Sequence, residues 1–153
     1  MNNDLQRIFE TLRTRQPLPP LSPSQVFSSD ITKEIGALPV GEGVKAGPAL
    51  HLLNDDMERC HNIAQGREGN PTFDYMHAVL HRREQDYWNS KWWINRISHP
   101  LWKECYGEEF PQTFVDDVER AEKSKDRNKI TILEKKQMVE LVKIVEFVIE
   151  NNL

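Results

Sequence analysis

Apolar residues recur three and four positions apart along most of this chain, and no segment alternates long enough to read as a strand. Leu5, Ile8, Phe9 and Leu12 fall on one face of a helix over residues 3–15. Four prolines between Pro17 and Pro23 then break the pattern. They predict an extended connector, either a spacer or a PxxP ligand of the SH3 type. Residues 28–35 read as a short helix capped by Ser29 or Asp30. Residues 36–47, GALPVGEGVKAG, carry four glycines and read as a loop, either a plain connector or one wrapped over a pocket.

From Pro48 onward the pattern is helical throughout. Pro48 suits the first turn of a helix containing ALHLLN. Asp55 or Asp56 caps MERCHNIAQ, and Asn70-Pro71 opens a helix reaching about Glu84. Asp86 caps the next, from Tyr87 to about Ile97, which His99-Pro100 stops. Thr113 caps a helix beginning FVDDVERAEK. The last helix runs from about Ile132 to Asn151, with Met138, Leu141, Val142, Val145, Val148 and Ile149 on its apolar face.

The fold class is therefore all-α, with helical hairpins packed against an N-terminal helix and a long C-terminal one. The divisions are residues 1–16, a connector and loop over 17–47, and a helical region over 48–153, within one domain overall. An offset of 30 residues aligns Leu50-His51 with Leu80-His81, Asp56-Met57 with Asp86-Tyr87, and Cys60 with Ser90. The hairpins resemble tetratricopeptide-type repeats, although the period is shorter than the usual ~34 residues and only two units stand.

Composition narrows the function classes. A net charge of −4 over 153 residues argues against broad nucleic-acid binding. Two separated cysteines, Cys60 and Cys105, encode neither a zinc ribbon nor a CxxC redox site. No apolar run approaches the ~20 residues of a membrane span, and the N-terminus has no signal-peptide core, so a cytoplasmic setting is expected.

Candidate chemistry concentrates in residues 75–100, YMHAVLHRREQDYWNSKWWINRISHP, with three of the five histidines and three of the four tryptophans. His77, His81 and Glu84 continue an apolar helical stripe at i, i+4 and i+7. Two histidines at that spacing can share a metal ion, and the carboxylate can complete or orient the site. The repeat places His51 like His81, so a divalent-metal set of His51, His77 and His81 is expected if metal binds, with Asp55 nearby. Asn89, Trp92 and Arg96 form a neighbouring stripe, where Trp92 can stack on a planar ligand and Arg96 can fork an anion. The alternative is Trp92 packed under Arg96. Arg82 and Arg83 read as one solvated charge and one partner for Asp86 or Glu84. Ser90, Trp93, Ile94 and Ile97 read as core.

The run LHRREQDYWNSKWW, followed by FVDDVERAEK, resembles a family of uncharacterised bacterial and fungal helical proteins with a pattern close to LHRREGDYxNAKYWxRR-HP. His81, Arg82, Arg83, Glu84, Asp86, Tyr87, Asn89, Lys91, Trp93, Arg96, His99 and Pro100 sit on that pattern. Gln85, Ser90, Trp92 and Asn95 depart from it, the last removing one arginine of a pair. The resemblance spans roughly residues 48–150 and implies a shared helical fold, with no activity attached.

Three readings of function stand on these residues. One is a binding module for a small anionic molecule or peptide, with His77, His81, Glu84, Asn89, Trp92 and Arg96 lining a groove. Another is a metal-dependent or acid–base enzyme, with His81, Glu84 and Asp55 as catalytic candidates. The third is a structural helical adaptor docking through its C-terminal helix.

Overall fold

The computed structural model describes residues 2–151 and 153; 72% of the chain is helical, and no strand occurs among the described residues. The helices are α1 (Asn3–Arg13), α2 (Ser29–Gly36), α3 (Val40–Leu53), α4 (Met57–Ala64), α5 (Pro71–Arg83), α6 (Tyr87–Ile94), α7 (Leu101–Tyr106), α8 (Pro111–Ser124) and α9 (Arg127–Glu150). No helix is long and apolar enough to cross a membrane.

Side-chain caps start most of these helices where polar residues precede apolar ones. The Asn2 carboxamide accepts from Asp4 N at 2.7 Å, and Asp56, Asn70, Asp86 and Asp126 cap α4, α5, α6 and α9. Ser28, one residue before the expected caps, accepts from Ile31 N at 3.1 Å. α8 begins at Pro111 rather than at Thr113, with proline in its first turn where no N–H is needed. α9 begins at Arg127, five residues before the apolar periodicity becomes clear. α7 was not evident in the sequence, because six residues are too few to show a period.

The glycine-rich segment is the main departure. Residues 40–53 form one helix that runs through Pro48, so the segment is neither a connector nor a flap. Glycine costs about 1 kcal/mol relative to alanine at each helical position. Burial offsets this, since Ala46, Ala49, Leu50, Leu52 and Leu53 are at most 2% exposed. A side chain at Gly47 would meet Ile63 Cδ1 at 3.4 Å, so glycine there lets α3 approach α4 closely.

The main core joins Leu5, Ile8 and Leu12 of α1, Leu50 and Leu53 of α3, Phe73, Met76 and Leu80 of α5, and Leu141, Ile144, Val145 and Val148 of α9. The proline connector is strapped onto this body. Arg83 Nη2 and Gln137 Nε2 donate to the Pro20 carbonyl at 2.9 and 3.0 Å, and Leu21 is 2% exposed.

Arg82 and Arg83, read as one solvated charge and one partner for Asp86 or Glu84, both point inward instead. Arg83 meets Asp55 at 2.6 Å, and Arg15 meets the other Asp55 oxygen at 2.9 Å. Arg82 Nη2 donates to Glu140 Oε1 at 2.7 Å, while the Tyr75 and Tyr106 hydroxyls donate to Glu140 Oε2. Burial, reinforced by Glu140, raises both phenols well above their usual range, so they serve as donors. The sequence could not show that α9 carries the partner of all three, 34 to 65 residues away.

The α3–α4 and α5–α6 hairpins have closely similar turns. Asp55 and Gln85 have φ of 60° and 63°, and Asp56 N and Asp86 N donate to the carbonyls of His51 and His81 at 2.8 and 2.9 Å. The left-handed residue reverses the chain in each case. Cys60 and Ser90, one turn later, are both fully buried.

Candidate functional site

Two helices bring three imidazoles together, and a third walls them with an indole. α5 carries His77 and His81 one turn apart, with rings stacked at 5.7 Å and 17°. α4 presents His61 edge-on to both, at 5.0 Å from His77 and 5.9 Å from His81. α6 supplies Trp93, whose indole lies flat on His77 at 4.3 Å and 3° and fixes that ring. One nitrogen from each histidine lies within 4.8 Å of the other two.

Their unpaired nitrogens converge on one another, whereas His51 Nδ1, also buried without a partner, stands apart from them. Among the described residues, no ring nitrogen of His61, His77 or His81 makes a hydrogen bond, and the Nδ1 atoms of His77 and His81 are buried without a partner. Buried polar atoms are nearly always satisfied, so an unpaired pair on adjacent turns calls for a ligand. Glu84 Oε2 approaches His81 Nδ1 at 3.4 Å, in orienting range but short of a hydrogen bond. Burial, joined by the neighbouring His61 and His81, pushes His77 down to about 4 against the pull of Glu84. His77 is therefore neutral at pH 7, which leaves a lone pair for a cation.

The cluster opens to solvent through a cavity of about 470 Å³ lined by His61, Gln65, Glu68, His77, His81, Trp88, Asn89, Trp92 and Trp93. Trp88 is 73% exposed at its rim. A second cavity of about 610 Å³ shares Glu68, Trp92 and Trp93 with the first and continues to Arg96 and Ser98. The Arg96 guanidinium rests on Trp92 at 4.4 Å.

His77, His81, Asn89 and Trp92 thus line one cavity, Arg96 lies in the adjoining one, and Glu84 stands behind His81 on another face. His51 and Asp55 do not join them. His51 is 3% exposed, with Nδ1 3.9 Å from Asp56, and its place in the trio is taken by His61. The 30-residue offset matched the turns but not the faces, because α4 packs beside α5 and offers its own histidine. Asp55 has both oxygens bound by arginines, which leaves no basic lone pair for catalysis. Trp93, expected in the core, is half-buried and forms the wall between the cavities. Sequence reasoning missed His61, Glu68 and Trp88. The contact between antiparallel helices that places His61 opposite His77 has no local signature.

Fold and site together define an all-α protein with a surface-opening tri-histidine cluster. No family model, curated protein or solved structure matches the chain.

Proposed function

We propose that this protein is a metal-dependent enzyme whose His61, His77 and His81 hold one divalent ion of the zinc class. The supporting observation is the convergence of three imidazoles, none hydrogen-bonded to any described residue, at the floor of an open cavity. Nitrogen donors suit zinc, nickel, cobalt or copper rather than magnesium or calcium. A structural zinc is closed by four protein ligands, whereas three with an accessible face leave a position for water or substrate. Tetrahedral bonds of ~2.0–2.1 Å set ligand nitrogens about 3.3 Å apart, so each ring need swing only on the order of an ångström.

Such an ion supplies a bound water acidic enough to ionise near neutral pH. Among the described residues Glu68 is the one carboxylate on the lining of the cavity; it is exposed and would be the base for such a water. Glu84 orients His81 from behind. Hydrolysis or hydration is the chemistry this set favours. The concave, polar character of the site speaks against a purely structural adaptor.

Zinc titration against a chromophoric chelator tests the proposal, together with the optical spectrum of the cobalt(II) form. One ion per chain is expected, with d–d bands of a four-coordinate site. His77→Ala and His81→Ala should each weaken binding by about 100-fold. Equal, weak binding in all three proteins would rule the centre out.

A further inference from the structure

The second cavity has its own chemistry, and its connection to the first points to what the metal centre acts on. It lies beyond the Trp92–Trp93 pair, which meets edge to face at 5.1 Å and 84°, and is lined by Glu68, Gly69, Asp74, Arg96 and Ser98. Because Trp92, Trp93 and Glu68 border both spaces, one molecule can lie across them with its ends in different surroundings.

The polar groups at the far end differ in availability. Both Asp74 oxygens accept from Gly69 N, at 3.2 and 3.3 Å, and that side chain is occupied. Arg96 makes no ion pair and no side-chain hydrogen bond among the described residues, and its guanidinium lies over the Trp92 ring. Stacking holds the guanidinium plane but leaves its N–H donors free in that plane. The fork is therefore preset for a planar, two-oxygen acceptor.

Charge limits what that acceptor can be. Among the described residues Arg96 is the sole cation on the lining, against the carboxylates of Glu68 and Asp74. A dianionic phosphate would meet two negative groups and one positive. A singly charged carboxylate needs only the one fork. The exposed indoles of Trp88 and Trp92 favour a flat or aromatic body between the two ends.

We infer that the substrate is an aromatic or similarly flat monocarboxylate, held by its carboxylate on Arg96 and along Trp92, with its reacting group delivered to the tri-histidine centre. This rests on the metal reading above. It makes Arg96 a specificity-determining residue, outside the ion's ligand set.

Three probes carrying the same metal-binding head separate the two ideas. Benzohydroxamate has only the head, 4-carboxybenzohydroxamate adds the carboxylate, and 4-phosphonobenzohydroxamate adds a doubly charged group. Affinity for the zinc-loaded protein is measured by calorimetry for wild type and Arg96→Gln, with zinc affinity taken alongside. The carboxylate should improve binding about tenfold over benzohydroxamate, as one charge-assisted pair provides. The phosphonate should gain less, and in Arg96→Gln the carboxylate-to-parent ratio should fall to about one. Zinc binding without any carboxylate preference, with no hydroxamate binding, or with the phosphonate tightest would overturn the substrate assignment and leave the metal centre standing. Absence of zinc binding in wild type would remove both.

Discussion

Two buried polar clusters sit on opposite faces of α5, and they differ in one respect. Around Glu140 both carboxylate oxygens are matched: Arg82 donates to one and the phenols of Tyr75 and Tyr106 to the other, and Arg82 Nε alone is left without a partner. Around His77 none is matched; His61, His77 and His81 face one another with no hydrogen bond to any described residue. A network whose carboxylate is saturated in this way holds helices in register and leaves no acceptor for a ligand. An open one is a standing cost to the fold unless something occupies it. The contrast separates scaffold from site more sharply than residue type does, since arginine, tyrosine and glutamate are also common catalytic residues.

The largest expected effect breaks the closed cluster. Glu140→Ala leaves the Arg82 guanidinium buried without its carboxylate and should cost about 3–5 kcal/mol of stability, read from urea unfolding. Whatever fraction stays folded should bind zinc as wild type does. The counterpart, His77→Ala, should leave the metal-free protein as stable or slightly more so while abolishing tight zinc binding. If the two variants lost stability equally, the distinction between scaffold and site would fail.

Acid probes the buried histidines of both kinds, matched and unmatched alike. His99 is the matched counterpart of His77: its Nδ1 accepts from Leu101 N at 3.2 Å, and its Nε2 meets Thr72 Oγ1 at 2.9 Å. Burial pushes His99 down to about 4, and it does the same to His51 despite Asp56. Both are kept neutral in the fold and gain a proton near 6.5 when unfolded. Between those values the unfolded chain binds more protons, so stability should be complete above about pH 6.5 and decline as pH falls toward 4. Unfolding free energies at pH 7, 5.5 and 4.5 measure the decline, and a flat profile would mean that these imidazoles are solvated.

How much of this was legible follows from where each interaction lies along the chain. The α5 stripe of His77, His81 and Glu84 could be read because 3.6-residue periodicity is local, and the all-α class follows from the same periodicity. His61 could not be read, because its partnership depends on which face of α4 turns to α5. The inward course of Arg82 and Arg83 was hidden for the same reason; both sit on a basic-looking run whose partners are supplied by α9 and the α3–α4 turn. The GALPVGEGVKAG segment was misread for another reason. Its composition favours a loop, and only burial of Ala46 and Ala49 makes it helical.

The smallest expected effect concerns the edge of the open cluster. Glu84 is 40% exposed and its Oε2 stands 3.4 Å from His81 Nδ1. As an ordinary i, i+3 surface pair it is worth well under about 1 kcal/mol, and its loss would go almost unnoticed in the metal-free protein. As the carboxylate behind a metal-bound imidazole it does more. There it would accept a hydrogen bond from Nδ1–H, fix the tautomer that leaves the Nε2 lone pair for the ion, and raise the basicity of the ring. Glu84→Gln keeps the shape but weakens the acceptor. Zinc affinity should then fall about tenfold while urea unfolding of the metal-free protein stays within about 0.5 kcal/mol of wild type. The reverse outcome, lost stability with unchanged zinc affinity, would make Glu84 a helix-end contact and leave His81 oriented by its stack on His77 alone.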